Sequence, residues 1–339
     1  MPELCENSST HKFIKAFQSC ILAVVFLLGV LGNSLVLITF TLYRRLKFRS
    51  MTNVFLLNLA LADLLLLLTI PFKASYTVLD SWIFGIHLCK ATRSLYAINF
   101  YSGLLFLACI SVDRYIVIVM ATMAHKLRTK TLLYSKLCTL VVWAASFLLS
   151  LPEILFTNLK QWEGGLQCEM FAKTENKAIK LWTRVAQITI GFCLPFMVML
   201  FCYSVIMRTL LRGRSFEKHK ALRVIVTLVL VFLLFQLPYS VVLLLKTAGV
   251  HEASCSDWDS TLKSEYVTGS LAYSRCCLNP LLYTFVGVRF RNDVLMLLRD
   301  LGCISRAQYS CHVAPRQDSS RRLSYASSSA AYTETSSMF

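Results

Sequence analysis

Seven mostly apolar runs, at about 18–43, 51–79, 86–119, 133–157, 182–210, 219–247 and 264–287, fill most of this 339-residue chain. Crossing the roughly 30 Å hydrocarbon core of a bilayer takes about 20 residues of helix, so each run is long enough to span. Inside lipid a segment must satisfy its own backbone N–H and C=O groups, which makes helices the expected form. The sequence therefore predicts an all-α membrane protein, a seven-transmembrane helix bundle over 18–287. The first run begins near Phe17 and is too long for a signal-peptide core, so it reads as a span and not as a cleaved leader. Val288 to Gly302 alternates charge with Leu, Met and Phe and is too short to span. It predicts a short cytoplasmic amphipathic helix lying on the membrane. An extracellular N-terminus, 1–17, and a disordered cytoplasmic tail, 303–339, flank these parts.

The charges fit this layout. Charged residues are 16% of the chain, below the roughly 25% that covers a soluble domain. With seven spans and an outside N-terminus, 21 of the 35 Lys and Arg fall in the inner loops and tail and 12 at the outer side. Arg114 and Arg275 lie within helices. An inner excess of this kind is the positive-inside pattern. The basic residues sit in short loops and not on one polar face, so the expected partner is membrane lipid and not nucleic acid. Internal repeats and half-helix breaks are not visible, and the deep ionisable groups are few, which speaks against a transporter or channel. No metal cluster or nucleophile–base set falls within the spans, so no enzyme activity, metal or cofactor is expected.

Polar groups inside a span are costly and mark functional positions. Asn33, Asp63, Arg275 and Asn279 are the deep ones. Asp63 and Arg275 each lie about 12 residues from the inner end of a span, or about 18 Å deep at 1.5 Å per residue. A pair between them, direct or through water, would remove the cost of an isolated guanidinium, and sodium-sensitive agonist affinity would argue against it. Asp113-Arg114-Tyr115 ends the third span. It reads as a switch in which Arg114 pairs with Asp113 while the inner face is closed and then releases. Pro71, Pro152, Pro195, Pro238 and Pro280 each fall in a separate span, where proline permits a kink.

Four cysteines face outside: Cys5, Cys89, Cys168 and Cys255. Pairing is expected in an oxidising compartment, and three pairings are possible. Asn7-Ser8-Ser9 is a glycosylation sequon, and Cys303, after the amphipathic helix, is a palmitoylation candidate. Ten Ser or Thr lie in the 25 residues from Pro315, where Arg321-Arg322-Leu323-Ser324 sets basic residues beside a hydroxyl. Phosphate there would turn a polar tail into an anionic ligand.

Together these residues resemble the rhodopsin-like G-protein-coupled receptors across 18–302. The matches run in order: Gly32-Asn33, Leu59 to Asp63, Cys89, Asp113-Arg114-Tyr115, Trp143, Pro195 with Tyr203, Pro238, and Asn279-Pro280-x-x-Tyr283. Thr69-Ile70-Pro71, Trp82-Ile83-Phe84-Gly85 and Tyr96 to Gly103 narrow the resemblance to the CC-chemokine receptors. Within these, Pro2-Glu3-Leu4-Cys5, Ala16-Phe17-Gln18, Gln236-Leu237-Pro238-Tyr239 and Arg275 look most like subtype ten, with six, seven and nine behind. The resemblance implies disulfides Cys89–Cys168 and Cys5–Cys255. It implies a small basic CC chemokine as ligand and an inhibitory-type heterotrimeric G protein as partner, driving chemotaxis and calcium signalling. Receptor kinases and arrestin would act through the tail. Glu169, Asp257 and the other outer acids would attract the ligand, whose flexible end would enter near Tyr76, Tyr96, Tyr239 and Glu265. Asp113, Arg114, Tyr115, Tyr203, Asn279, Pro280 and Tyr283 would carry the switch and the G-protein contact.

Several positions depart from the family. Lys73 stands where the family often has Trp, Gly269 where it often has Glu, and Gln236 where it has a toggle tryptophan. Ile116-Val117-Ile118-Val119 follows the Asp-Arg-Tyr triplet in place of Leu-Ala-Ile-Val. Four residues precede Cys5, with Glu3 the one acid, so first contact falls to Glu6 and the outer-loop acids or to residues before this sequence begins. A scavenging receptor that internalises ligand without G-protein signalling, and a receptor for another peptide, are the alternatives.

Overall fold

A computed structural model describes residues 8–42, 51–127, 130–162, 165–171, 176–212, 216–248, 255–286, 288–305 and 308. The first span is α1 (Ser8–Leu42). It begins at Ser8 instead of near position 18, because the polar residues before the apolar run continue the same helix. The second span divides into α2 (Met51–Leu67) and α3 (Ile70–Leu79). A kink at Pro71 was the expectation; the helix instead stops and restarts, and the break has a local cause. Pro71 lies in the first turn of α3 and has no N–H to donate back. Just before it, the Leu66 carbonyl accepts from both the Thr69 N–H at 2.9 Å and the Thr69 hydroxyl at 2.7 Å, and the chain turns at Leu68 and Thr69.

The third span is α4 (Gly85–Val119), with the short α5 (Ala121–Leu127) after it, and the fourth is α6 (Thr131–Phe156). Two strands follow, β1 (Thr157–Trp162) and β2 (Gly165–Met170), paired antiparallel with Leu159 opposite Cys168. The fifth span is α7 (Lys177–Ile188), a π turn at Thr189–Cys193, and α8 (Leu194–Arg212). The Leu194 N–H bonds back five residues to the Thr189 carbonyl just before Pro195, which cannot donate. The bulge sets Gly191 against the Tyr101 ring, where an added Cβ would overlap the ring. The sixth and seventh spans are α9 (Phe216–Ala248) and α10 (Cys255–Val286), each holding its proline inside the helix.

Among the described residues, six segments are long and apolar enough to cross a bilayer. Residue chemistry makes α10 less apolar, since it carries Glu265, Arg275 and Asn279, but at 32 residues it has the length. It packs between α1 and α9, so protein and not lipid receives its polar groups. The buried side of α4 is rich in small residues, among them Ser94, Ala97, Ser102, Gly103, Ala108 and Ser111, and α4 touches α2, α6, α8 and α9. Small side chains let membrane helices approach closely. Large apolar side chains such as Leu140, Leu155, Trp182 and Leu234 point outward, as they must where the solvent is lipid.

The final helix, α11 (Val288–Asp300), forms a separate unit with the tail. Gly302, with φ +76°, ends it: its N–H bonds the Arg299 carbonyl and the Cys303 N–H bonds the Leu298 carbonyl. A left-handed residue just past a helix closes its last turn in this way. Cys303 is exposed.

Candidate functional site

At one end of the bundle the hairpin is tied to α4 by the disulfide Cys89–Cys168. It also docks on the α3–α4 loop. The Trp82 N–H donates to the Leu166 carbonyl at 2.7 Å, and the Leu166 N–H donates to Ser81 Oγ at 3.1 Å. Gly165, at φ +138°, lies so close to Ser81 that a Cβ would overlap it. Trp82 is buried and meets Tyr76 and Phe84 edge to face. The hairpin is therefore a fixed rim.

Below that rim, Tyr96 of α4 is the hub. Gln236 Nε2 donates to its hydroxyl at 2.6 Å, and its ring meets Tyr239 at 5.6 Å and Tyr273 at 5.3 Å. Lys246 Nζ pairs with Glu265 at 2.8 Å and lies 4.0 Å from Glu169 on β2. Of the ligand residues expected from the sequence, Tyr76, Tyr96, Tyr239, Glu265 and Glu169 thus lie at one end. The side chain of Asp257 lies outside the described residues, as do Cys5, Asn7 and the side chain of Cys255.

A second ionic group at this end was missed by sequence reasoning. Glu153 accepts from Arg93 Nε at 3.1 Å and from Arg184 Nη1 at 3.0 Å, joining α4, α6 and α7. Glu153 is buried, and the Arg184 guanidinium also stacks over the Phe171 ring at 5.7 Å. The signal was present: Glu153 follows Pro152 inside an apolar run, and an acid there needs a partner.

Midway along the bundle is a buried polar network. Asn99 Nδ2 and Asn279 Nδ2 donate to the two oxygens of Asp63, at 2.9 and 2.7 Å. Arg275 donates to Asn99 Oδ1, and its Nη2 lies 3.7 Å from Asp63 Oδ1. The guanidinium rests 5.0 Å from the centre of the Phe232 ring. Gly103 makes room, since its Cβ would stand 3.2 Å from that ring and 3.5 Å from Arg275 Nη1. Asn33 Nδ2 donates to the Gly29 and Cys276 carbonyls, both at 2.9 Å, and so joins α1 to α10. Asn99 completes this network and was not singled out from sequence.

At the end opposite the hairpin, Arg114 Nη2 bonds Asp113 Oδ2 at 2.8 Å. Thr52 of α2 closes a triangle by donating to Asp113 Oδ2 at 2.6 Å and accepting from Arg114. The Tyr203 hydroxyl meets Ser111 Oγ at 2.6 Å, and Tyr115 packs with Tyr203 around Ile206. Thr52 was also missed; a lone threonine at a helix start carries no sequence signal. Asn279 lies in the mid-bundle network with Pro280 one residue on, while the side chain of Tyr283 lies outside the described residues.

The profile of the family described as 7 transmembrane receptor (rhodopsin family) matches residues 32–283. Human C-C chemokine receptor type 7 is 43% identical over 342 residues, covering 99% of this chain and 87% of the relative. The chain belongs to the C-C chemokine receptors of the rhodopsin family. Human C-C chemokine receptor type 9 is 41% identical over 309 residues, covering 90% of this chain and 83% of the relative. Mouse type 10 is 43% identical over 342 residues, covering 100% and 92%. Types 7 and 10 match equally well, so identity does not single out the subtype-ten likeness read from the motifs. The chain is a multi-pass membrane receptor and not an enzyme, as the family's members are.

Proposed function

We propose that this chemokine receptor binds a basic CC chemokine at its hairpin end, outside the cell, and activates an inhibitory-type G protein at its Arg114 end. Chemotaxis and calcium signalling follow. The N-terminus is outside, in keeping with the inner excess of Lys and Arg. Residues 1–17 and 18–287 serve as outer arm and bundle, 288–302 as surface helix, and 303–339 as the tail for receptor kinases and arrestin.

The observation that carries this reading is the Arg114 triangle with Asp113 and Thr52. Hydrogen bonds to charged groups are worth about 1.5–3 kcal/mol each, so the triangle holds the inner face shut while no partner is present. A G-protein helix offering carbonyl acceptors to Arg114 replaces those bonds and stabilises the open state. Ligand contacts with Tyr76, Tyr96, Tyr239 and Glu265 bias the same equilibrium from outside. Tyr96 ties α4 to α9 through Gln236, and Asp63, Arg275 and Asn279 tie α2 to α10. These links give a ligand at one end purchase on the helices that meet at the other.

The test is inhibition of cAMP in cells expressing the chain, against a panel of purified chemokines, with and without pertussis toxin. A toxin-sensitive response to one or two chemokines is expected. Surface expression without any chemokine binding overturns the reading. Ile116-Val117-Ile118-Val119 after the triplet favours a second reading, a scavenger, in which uptake of chemokine occurs without the cAMP response.

A further inference from the structure

Seven charged side chains gather at the hairpin end: Lys73, Arg93, Arg184 and Lys246 against Glu153, Glu169 and Glu265. They act on one space. Tyr239 lies in the field of Glu265, Arg93, Lys246 and Arg184. Glu265 in turn feels Lys246, Lys73 and Arg93. Three of the four cations are matched: Lys246 by Glu265 and Glu169, and Arg93 and Arg184 by Glu153. Lys73 is not. Among the described residues, no carboxylate stands within ion-pair distance of its ammonium and no acceptor takes its hydrogen bonds. The ammonium lies over the face of the Tyr76 ring, 5.4 Å from its centre. Lys73 is half-buried near the rim of a membrane span. A cation there is costly without an anion. Across the bundle, Gly269 stands beside Tyr239, 3.5 Å from ideal Cβ to ring, and supplies no acid.

We propose that Lys73 is a recognition residue for a carboxylate on the flexible end of the protein ligand, which completes the charge balance left open among the described residues. This rests on the reading of the hairpin end as the ligand site. The Tyr76 face holds the ammonium in place, and the carboxylate supplies the missing charge-assisted hydrogen bonds. The receptor thereby selects ligands whose inserted segment bears an acid, although the body of the ligand is basic and is drawn in by the acids of the rim. The acid is a side chain before the ligand's first cysteine or the free carboxylate of its last residue, and the experiment separates the two.

The first arm needs no chemokine. Gly269→Cys places a thiol beside Tyr239, and its rate of modification by sulfonatoethyl and trimethylammonioethyl methanethiosulfonate is measured in membranes, against the parent receptor as background. One unit charge about 10 Å away, at an effective dielectric near 20, alters the rate for a singly charged reagent by about tenfold. The anionic reagent is expected to gain by that factor or more, and the gain is expected to vanish in Lys73→Gln and persist in Lys73→Arg. An unchanged reagent ratio in Lys73→Gln overturns the proposal.

The second arm uses the panel chemokine that evokes the cAMP response, in three forms: unaltered, with the acids before its first cysteine changed to amides, and with an amidated C-terminus. One altered form is expected to lose about tenfold in potency on the parent receptor and almost nothing on Lys73→Gln. Equal losses on both receptors, or none on either, overturn the proposal. If no chemokine responds, the function reading fails, while the reagent ratio still reports on Lys73.

Discussion

Replacing Asp63 by Asn keeps the shape of the mid-bundle network and removes its one negative charge. Arg275 then loses its anion while 2% exposed, with Asp63 at 1% in the parent. An unpaired guanidinium in a span costs at least about 2.5 kcal/mol. Breaking a buried pair by removing one partner costs about 3–5 kcal/mol. At about 2 °C per kcal/mol for a chain of this size, the apparent unfolding temperature should fall by about 5–10 °C. The converse change, Arg275→Leu, should cost less. It leaves Asp63 with the amide donors of Asn99 and Asn279, at 2.9 and 2.7 Å. A carboxyl left without a cation can also be neutralised by a proton, which a guanidinium cannot lose. The double variant carries no buried charge at this level and should recover most of the Asp63→Asn loss. The assay is thermal unfolding of the detergent-solubilised receptor, followed by a thiol-reactive dye. Cys202, Cys276 and Cys277 are buried and unpaired, so they report opening of the bundle. Because such unfolding is irreversible, all variants are compared at one scan rate. If Asp63→Asn is as stable as the parent, or Arg275→Leu is the more damaging, the charge-pairing account of this network is wrong.

Four further outcomes are expected. Exchanging sodium for a large organic cation should leave agonist affinity unchanged, because a resident guanidinium already faces Asp63; a sodium-dependent shift in chemokine binding counts against this. Thr52→Val removes the hydroxyl that joins α2 to Asp113 and Arg114, worth at least about 1.5 kcal/mol, and should raise basal nucleotide exchange by about tenfold or more; unaltered basal exchange contradicts the clasp. Glu153→Gln leaves Arg93 and Arg184 without their acid, so surface expression should drop, and adding Arg184→Gln should restore part of it, as read by flow cytometry. Cys89→Ala frees the hairpin from α4 and should abolish chemokine binding at normal surface levels, measured with labelled ligand.

The bundle was legible because lipid imposes a length and a composition on every span; six runs met both and the seventh met the length. The seventh was the least apolar, and its polar residues make sense only once α1 and α9 flank it. The break at Leu68 and Thr69 was half legible. Pro71 announced a distortion, but whether the helix bends or stops depends on the turn at Thr69, whose N–H and hydroxyl both take the Leu66 carbonyl. The hairpin was not read from the sequence: Leu166, Cys168 and Met170 alternate with Gln167 and Glu169, but 157–162 shows no such alternation. The position of the hairpin comes from distant partners: Cys89, Ser81 and Trp82. In the site, single residues that violate the lipid rule, such as Asp63 and Arg275, could be found by cost alone. Asn99 and Thr52 could not, since their importance arises from partners on other helices: α2 and α10 for Asn99, α4 for Thr52. Glu153 was readable by the same rule as Asp63, since it follows Pro152 inside an apolar run.

The central claim is that occupation of the hairpin end opens the Arg114 end to a G protein. The most direct measurement is GTP-analogue exchange on a purified inhibitory-type heterotrimer, using the receptor in lipid nanodiscs and the chemokine identified by the panel. Chemokine-dependent exchange is expected, and it should be lost in Arg114→Ala while chemokine binding is retained. Binding at full affinity with no stimulated exchange in the parent receptor would contradict the account and leave the scavenger reading in its place.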